Sequence, residues 1–288
     1  MRPQKILFMS VVSILGVSLS LLASAASASA ASHPLVYVVT APVDFAGTTA
    51  QFGTVDLATG EFHQIGPYTP EPEVGLVPGP HGELLSITFS GDLESIDPAN
   101  GNTHVIGASE IGIPGPGPFD FAELHGKLYA TDFSNNLYAV NAAIGAATLI
   151  GPTSLPAVPN MDLADESLYG VRGKLFATFD VLGTPCCTTA LTGFDPALYV
   201  IDPETGAATL VGPTILNGSA SVEVDGTFYL FKELGTAPSP PGPSFAAVYT
   251  VDLKNGNASF VTNVDTTASA IIGACPVDGI GRDLPHRR

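Results

Sequence analysis

Five copies of one short pattern run through this sequence and restrict the folds it can adopt. In each copy an apolar strand ends in Asp or Asn, a Gly follows four residues later, and a second strand begins. Asp and Asn side chains bond to backbone amides two residues on, and Gly accepts the positive φ that closes a turn. Each copy is therefore predicted to be a β-hairpin. The five polar residues are Asp56, Asp97, Asn141, Asp202 and Asp252.

The pattern extends beyond the hairpin. A second Gly stands ten residues after the Asp or Asn in four copies, and Thr262 takes that position in the fifth. Two further short apolar strands precede each hairpin, as in Phe119–Ala122 and Leu128–Thr131. Four strands in a repeat of roughly 40 to 60 residues are typical of a β-propeller blade.

The two ends of the pattern complement each other. The first copy begins at Leu35–Val39, which corresponds to the second strand of a blade, and a spare strand, Ala268–Cys275, follows the last hairpin. If that strand completes the first blade, the ring closes and leaves no open edge. We therefore predict an all-β fold, a propeller of five four-stranded blades. Six blades are the alternative if Asn160–Val171 hides extra strands, and a solenoid of stacked hairpins is another.

The repeat can be compared with known families. Leu-Tyr-x-Val-Asp-x-x-Thr-Gly resembles the repeat of secreted bacterial propellers of the NHL, YVTN and quinoprotein-like type, which include families of unknown function. The motif describes strands and turns, so the resemblance implies the fold and carries no catalytic residue with it. The chain has no Trp, whereas tryptophans mark quinoprotein repeats, which argues against binding of pyrroloquinoline quinone.

The N-terminus has the pattern of an export signal. Arg2 and Lys5 precede the apolar run Ile6–Leu22, and Ala23–Ser32 is rich in Ala and Ser. This layout predicts a signal peptide over 1–31, a propeller over 32–281 and a disordered tail over 282–288. The expected location is extracellular or periplasmic, with no stable membrane span after cleavage. An uncleaved membrane anchor is the alternative.

The charge narrows the choice of partners. The formal net charge is −17, and such a surface repels phosphate, so nucleic acid is excluded as a partner. The acidity suits solubility, cation binding or cationic ligands. A glycan, a peptide or a protein remains possible as a partner, and the oligomeric state is open.

Propeller topology sorts the connections onto two faces. The turns that join first to second and third to fourth strands are short, as at His125–Gly126, and we call their side the turn face. The opposite side, the connection face, carries segments of variable length such as 180–196. Function concentrates in variable loops on a rigid frame, so ligand-binding carboxylates are expected on the connection face. The candidates are Asp44, Glu71, Glu73, Asp92, Glu110, Asp132, Asp165, Asp180 and Asp265.

Two more carboxylates are expected near the propeller axis. Asp120 and Asp162 stand close to the starts of innermost strands, so both side chains are expected to reach the axial channel. Converging carboxylates suit Ca²⁺, which prefers hard oxygen ligands. They also suit sugar hydroxyls or a general acid–base pair. Ca²⁺ is the one cofactor that this arrangement suggests.

The cysteines and histidines limit the disulfides and metal sites that the chain can form. In an oxidising compartment the prediction is a disulfide from Cys275 to Cys186 or Cys187, which leaves one thiol over; a vicinal bridge between Cys186 and Cys187 is the rarer alternative. The six histidines are scattered over turns, outer strands and termini, which does not suit a shared metal ion. The sequence contains no nucleophile elbow, phosphate-binding loop or His-Glu-x-x-His motif.

Two functions remain open from the sequence. The first is a secreted binding or scaffold propeller that holds a glycan, peptide or protein on its connection face. The second is a carboxylate- or Ca²⁺-dependent hydrolase, lactonase or lyase with Asp120 and Asp162 at the channel.

Overall fold

Strands account for nearly all the regular structure of the described residues. The computed structural model describes residues 34–42, 50–69, 73–111, 118–155, 166–179, 197–214, 218–233, 246–264 and 269–277. The strands within these ranges are β1 (Leu35–Pro42), β2 (Ala50–Asp56), β3 (Phe62–Thr69), β4 (Glu73–Pro78), β5 (Leu84–Thr88), β6 (Asp92–Ile96), β7 (Thr103–Ala108), β8 (Pro118–Leu124), β9 (Lys127–Asp132), β10 (Asn136–Val140), β11 (Ala147–Pro152), β12 (Glu166–Val171), β13 (Lys174–Phe179), β14 (Ala197–Ile201), β15 (Ala208–Pro213), β16 (Ala220–Val224), β17 (Thr227–Glu233), β18 (Ala246–Val251), β19 (Ala258–Val264) and β20 (Ser269–Pro276).

These strands form five four-stranded antiparallel sheets. Blade 1 has the order β20-β1-β2-β3, and blades 2 to 5 follow the chain as β4–β7, β8–β11, β12–β15 and β16–β19. The innermost strands contact one another in the cycle β4, β8, β12, β16, β20 and back to β4. The prediction of a five-bladed propeller closed by its C-terminal strand is confirmed. The six-blade alternative is wrong, since the described part of Asn160–Val171 forms a single strand, β12.

The hairpin turns follow the predicted chemistry. The Asp56 Oδ1 atom accepts the Ala58 backbone N–H at 2.8 Å, and the Gly60 N–H donates to the Asp56 carbonyl oxygen at 2.7 Å. Gly60 has a φ of 78°, in the left-handed region that Gly adopts at low cost. The same pair of bonds recurs in the other four copies. Turn formation is therefore local, and it is repeated once per blade.

The core lies between the blades. The buried apolar side chains form five clusters, and each cluster joins two neighbouring blades. The cluster between blades 1 and 5, for example, unites Val36 and Val55 with Phe231 and Val248. Both sides of most blades are covered in this way, which explains why the strands are apolar at successive positions rather than alternating.

The turns that join the innermost strand to the second strand share one geometry in blades 3, 4 and 5. His125, Arg172 and Asp225 have φ values of 54°, 49° and 50°, and the Gly after each also has a positive φ. Positive φ at both central residues is the pattern of the type I′ turn, whose twist matches that of the flanking strands. The turn face is therefore built from short, regular turns. The described tight turns of the opposite, connection face are 89–91 and 133–135.

Candidate functional site

Asp120 links two blades at the centre of the ring. It lies on β8, the innermost strand of blade 3, and its side chain is only 6% exposed. One carboxyl oxygen, Oδ1, accepts the Phe121 N–H at 2.6 Å, and the other accepts the N–H of Leu168 on β12 of blade 4. An innermost strand has a free edge toward the axis, so its N–H groups need partners from outside its own sheet. Asp120 supplies such a partner.

The surroundings of Asp120 change its ionisation. Burial raises the pKa of this carboxyl from 3.8 to about 8, and the N–H groups of Leu168 and Phe121 offset only part of that effect. Removal from water disfavours the charged form of an acid. The carboxyl is therefore protonated at neutral pH, and carboxyls perturbed in this way are concentrated at functional sites.

Tyr169 lies on the neighbouring innermost strand, β12. Its ring is stacked between Phe228 of blade 5, with centroids 4.5 Å apart, and Phe176 of its own blade, at 5.9 Å. The side chain is 5% exposed, and within the described residues its hydroxyl has no hydrogen-bond partner. Burial, reinforced by the charge of Asp120, holds the pKa of this hydroxyl well above its usual value. The hydroxyl is therefore a neutral donor.

Both residues line one cavity on the propeller axis. The cavity has a volume of about 260 Å³, and all five innermost strands contribute to its wall. Glycines allow those strands to approach closely: a Cβ atom on Gly273 of β20 would lie 2.6 Å from the Gly75 carbonyl carbon on β4. Apolar side chains such as Leu76 and Ile272 line it together with polar residues, Asp120, Ser221 and Glu223 among them.

One described candidate on the connection face, Asp132, is held by hydrogen bonds within its own blade. Asp132 is buried and accepts bonds from the Ser134 and Asn136 N–H groups, the Asn136 side-chain amide and the Tyr138 hydroxyl. It therefore closes the turn 133–135. Burial and this bond to Asp132 raise the pKa of Tyr138 to about 12.

The remaining described candidates differ in burial. Glu73 is buried at the start of β4, whereas Asp92 is half-buried at the start of β6 and donates its N–H to the Thr88 hydroxyl. Glu110 is exposed after β7, with a φ of 59°. The other predicted residues lie outside the described part of the chain. They are Asp44, Glu71, Asp162, Asp165, Asp180, Asp265, Cys186 and Cys187.

The structure bears on part of the metal and disulfide predictions. Among the described residues, no three His, Cys, Asp or Glu side chains are grouped to hold a metal ion. Cys275 is a free thiol in the described structure, 1% exposed on β20, and burial raises its pKa. Its pairing with Cys186 or Cys187 stays a prediction.

Sequence reasoning missed Tyr169. The residue belongs to a Leu-Tyr pair that resembles those of the outer hairpins, where Tyr138 and Tyr199 are half-buried. Tyr169 differs from them because β12 is an innermost strand. The sequence indicated this only through the low similarity of 160–171 to the repeat.

The comparisons with known proteins support the fold. A protein of unknown function from Bacteroides thetaiotaomicron matches with a TM-score of 0.53 at 15% identity, covering 85% of this chain. This chain spans 65% of that protein's length. At this identity the similarity shows the fold alone.

Two other solved structures are more distant. A PQQ-bound aldose sugar dehydrogenase from Streptomyces coelicolor has a TM-score of 0.42 at 14% identity, covering 69% of this chain and 79% of its own. A protein of unknown function from Bacteroides caccae has a TM-score of 0.41 at 12% identity, covering 84% and 98%. No protein-family model matches the sequence, and no curated protein matches it.

The strand topology therefore defines a five-bladed β-propeller, and the Bacteroides thetaiotaomicron protein of unknown function is similar to it in fold. In the described ranges we find no helix with the length and apolar character that a membrane crossing requires.

Proposed function

We propose that this chain is a secreted binding or scaffold propeller that holds a glycan, a peptide or a protein on its connection face. The supporting observation is the contrast between the two faces. The turn face repeats type I′ and Asp-Gly turns from blade to blade. On the connection face the second and third strands are joined by three residues in blade 3 (133–135) but by the long segment 180–196 in blade 4. Variable segments on a repeated frame are the usual arrangement of a recognition surface.

Loop replacement tests this proposal. In two variants, 180–196 or 234–245 is replaced by Asn-Gly, which closes a two-residue hairpin. Binding to a glycan array and to a peptide array is compared with that of the unchanged protein. We expect at least one replacement to abolish the recognised signals. The matched control replaces His125 by Asn on the turn face and keeps them. Signals that survive both replacements, or that are lost in the control, contradict the proposal.

Export is the second part of the proposal, and it rests on the layout of residues 1–31. Expression with the native leader in a bacterial host is expected to release protein whose N-terminal sequence begins near Ala31 or Ser32. Recovery of uncleaved protein from the membrane fraction would contradict it.

A carboxylate-dependent hydrolase, lactonase or lyase is the second candidate. One observation favours it: Asp120 lines the channel and holds a proton at neutral pH, as a general acid requires. A screen of esters, lactones and glycosides, with and without Ca²⁺, tests this candidate. Activity that is lost in Asp120→Asn, with the fold intact by circular dichroism, supports it. Activity that persists in the variant rejects the role of Asp120.

A further inference from the structure

The axial cavity extends to the turn face of the propeller. Its wall includes a residue at or next to the last position of every innermost strand: Pro78, Glu123, Val171, Glu223 and Pro276. Four of these strands continue directly into the first hairpin turns of their blades. The volume of about 260 Å³ lies just below the usual range for sites of drug-sized ligands. The turn-face end of the channel therefore suits a small organic molecule.

An arginine bridges blades 4 and 5 at this end. The Arg172 Nε atom donates to Glu223 Oε1 at 2.9 Å, and Arg172 Nη2 donates to the Gly226 carbonyl oxygen. Glu223 belongs to the cavity wall, and its side chain is 26% exposed. The ion pair is therefore both part of the cavity and within reach of a molecule that enters from the turn face.

Lys174 adds a second cation to the same side of blade 4. It lies directly opposite Val171 in the register of β12 and β13, and side chains that lie opposite each other share one face of a sheet. Val171 packs in the apolar cluster between blades 4 and 5, so Lys174 lies on the side that faces blade 5. Lys174 is exposed, and within the described ranges its ammonium has no ion-pair partner.

Ser221 lies beside Glu223 on β16. The two residues are two positions apart on one strand, so their side chains share a face. Their opposite neighbours, Leu230 and Phe228, both pack in the cluster between blades 4 and 5, which places Ser221 and Glu223 on the side of blade 4. Ser221 is a half-buried wall residue, and among the described residues its hydroxyl has no hydrogen-bond partner.

The charges around this end are balanced. The two cations, Arg172 and Lys174, stand against two carboxylates, Glu223 of the wall and Asp225 in the exposed turn of blade 5. A ligand with charge of one sign would meet a like charge beside each opposite one, and like charges at short range are costly. A ligand that carries both signs close together meets an opposite charge at each.

Both members of the ion pair keep unused bonding capacity. A guanidinium has five N–H donors, and the bonds from Nε and Nη2 leave the Nη1 group of Arg172 available. Glu223 Oε2 has no partner in the part of the chain that the structure describes. The other wall carboxylates, Asp120 and Glu123, already accept backbone N–H groups.

From this arrangement we propose that the turn-face end of the axial channel binds a small zwitterion of the α-amino acid class. Its carboxylate pairs with Lys174 and the Arg172 Nη1 group, and its ammonium pairs with Glu223 and the Ser221 hydroxyl. The side chain of the ligand enters the cavity, whose wall includes Leu76 and Ile272. This site lies on the face opposite to the connection face and does not depend on the function proposed there.

The test screens the common amino acids at pH 7 against the full chain by thermal shift and saturation-transfer NMR. We expect a concentration-dependent rise in Tm with at least one of them. The tightest binder is then compared with its two analogues that lack either the ammonium or the carboxylate. For leucine these are 4-methylpentanoate and 3-methylbutylammonium, which keep the carbon skeleton. Each analogue loses one charge-assisted contact, so we expect it to bind about tenfold more weakly or worse.

Variants separate recognition from structural effects. Lys174→Gln removes a cation without a described partner, so Tm without ligand should stay unchanged while affinity for the amino acid falls about tenfold. Affinity for the analogue that lacks the carboxylate should not fall, because that analogue has no group for Lys174 to pair with. The matched control is Lys254→Gln, an exposed lysine in the outer hairpin turn of blade 5 that is not part of the cavity wall. It should bind as the unchanged protein does.

Three outcomes would overturn the proposal. The first is that no amino acid binds at millimolar concentration, and the second is that an analogue with a single charge binds as tightly as the amino acid. The third is that Lys174→Gln retains full affinity. The variants with 180–196 or 234–245 replaced keep the turn face and should bind the amino acid normally, even where they lose glycan or peptide recognition. The two proposals therefore fail separately.

Discussion

Gly66 in the outermost strand of blade 1 packs backbone to backbone against Gly101 in the hairpin turn of blade 2. A Cβ atom on Gly66 would lie 2.8 Å from the Gly101 Cα atom, closer than real Cβ atoms approach a neighbour. Gly107, Gly151 and Gly212 make the corresponding approach to the turns of the next blades. In these four copies one glycine closes the hairpin and the other contacts the next blade, so the repeat encodes both a hairpin and its contact with the neighbouring blade.

Substitution at one of these contacts should weaken the interface. Gly212→Ala is expected to lower the free energy of unfolding by about 1–3 kcal/mol, because the added methyl would lie 2.8 Å from the Asn255 carbonyl oxygen. Urea denaturation measures the change. Thr262→Ala is the control in the copy without the Gly: it removes a hydroxyl that donates to the carbonyl oxygens of Thr59 at 3.2 Å and Asn263 at 3.3 Å, and it should cost at most about 1 kcal/mol. A neutral Gly212→Ala would contradict the steric explanation.

The hairpin Asp acts through hydrogen bonds and not through its charge. The Asp202 Oδ1 atom accepts the N–H groups of Glu204 at 2.8 Å and Thr205 at 3.3 Å. Asp202→Ala is expected to cost about 1 kcal/mol in urea denaturation. Asp202→Asn should be nearly neutral, since Asn141 makes the equivalent bond to the Ala143 N–H at 2.9 Å. Equal losses in both variants would point to charge instead.

Asp120 should make stability depend on pH. Its pKa is raised from 3.8 in the ordinary state to about 8 in the fold, so between these values the folded state binds more protons than the unfolded one. The contribution of Asp120 to stability is then full below about pH 4 and is lost as pH rises toward 8, by on the order of a few kcal/mol. Thermal denaturation from pH 4 to 9 measures this slope.

Asp120→Asn should flatten that slope, although it also weakens one backbone bond at every pH. The control is Asp225→Asn, in an exposed turn, which should retain the slope. The same decline in stability in Asp120→Asn would assign the pH dependence to another group.

The outermost strands carry exposed apolar residues at one repeated position: Val105, Leu149, Leu210 and Phe260. Phe260, although 57% exposed, lies opposite Tyr249 with ring centroids 5.6 Å apart at an interplanar angle of 76°. Phe260→Ala is expected to cost about 1 kcal/mol through loss of this edge-to-face pair. Leu210→Ala, opposite Tyr199, should cost less. Equal costs, measured by urea denaturation, would exclude a specific contribution of the aromatic pair.

The blade count and the ring closure followed from local chemistry. An Asp or Asn four residues before a Gly closes a turn wherever it occurs, since the bonds join residues two to four positions apart. The missing first strand and the spare last strand then identified β20 as the partner of β1. These features need only neighbouring residues and a count of strands, so they were predictable.

The carboxylate candidates could be assigned to a face but not to a role. Asp132 was predicted as a ligand-face residue, yet its four hydrogen bonds close its own turn. Thr88 closes the equivalent turn of blade 2 by accepting the Asp92 N–H. Sequence alone does not distinguish a carboxylate that caps a turn from one that is available to a ligand, because the difference lies in donors that only the folded turn presents.

Turn chemistry between near neighbours was enough to predict a propeller with two unlike faces and five blades, and the structure excluded the six-blade alternative. The channel was decided by contacts between distant parts of the chain. Leu168 meets Asp120 from 48 residues away, and Tyr169 is fixed against Phe228 from the next blade. The pKa of a carboxyl and the unmet bond of a hydroxyl both depend on exclusion of water. That exclusion exists only after five innermost strands have closed around one axis.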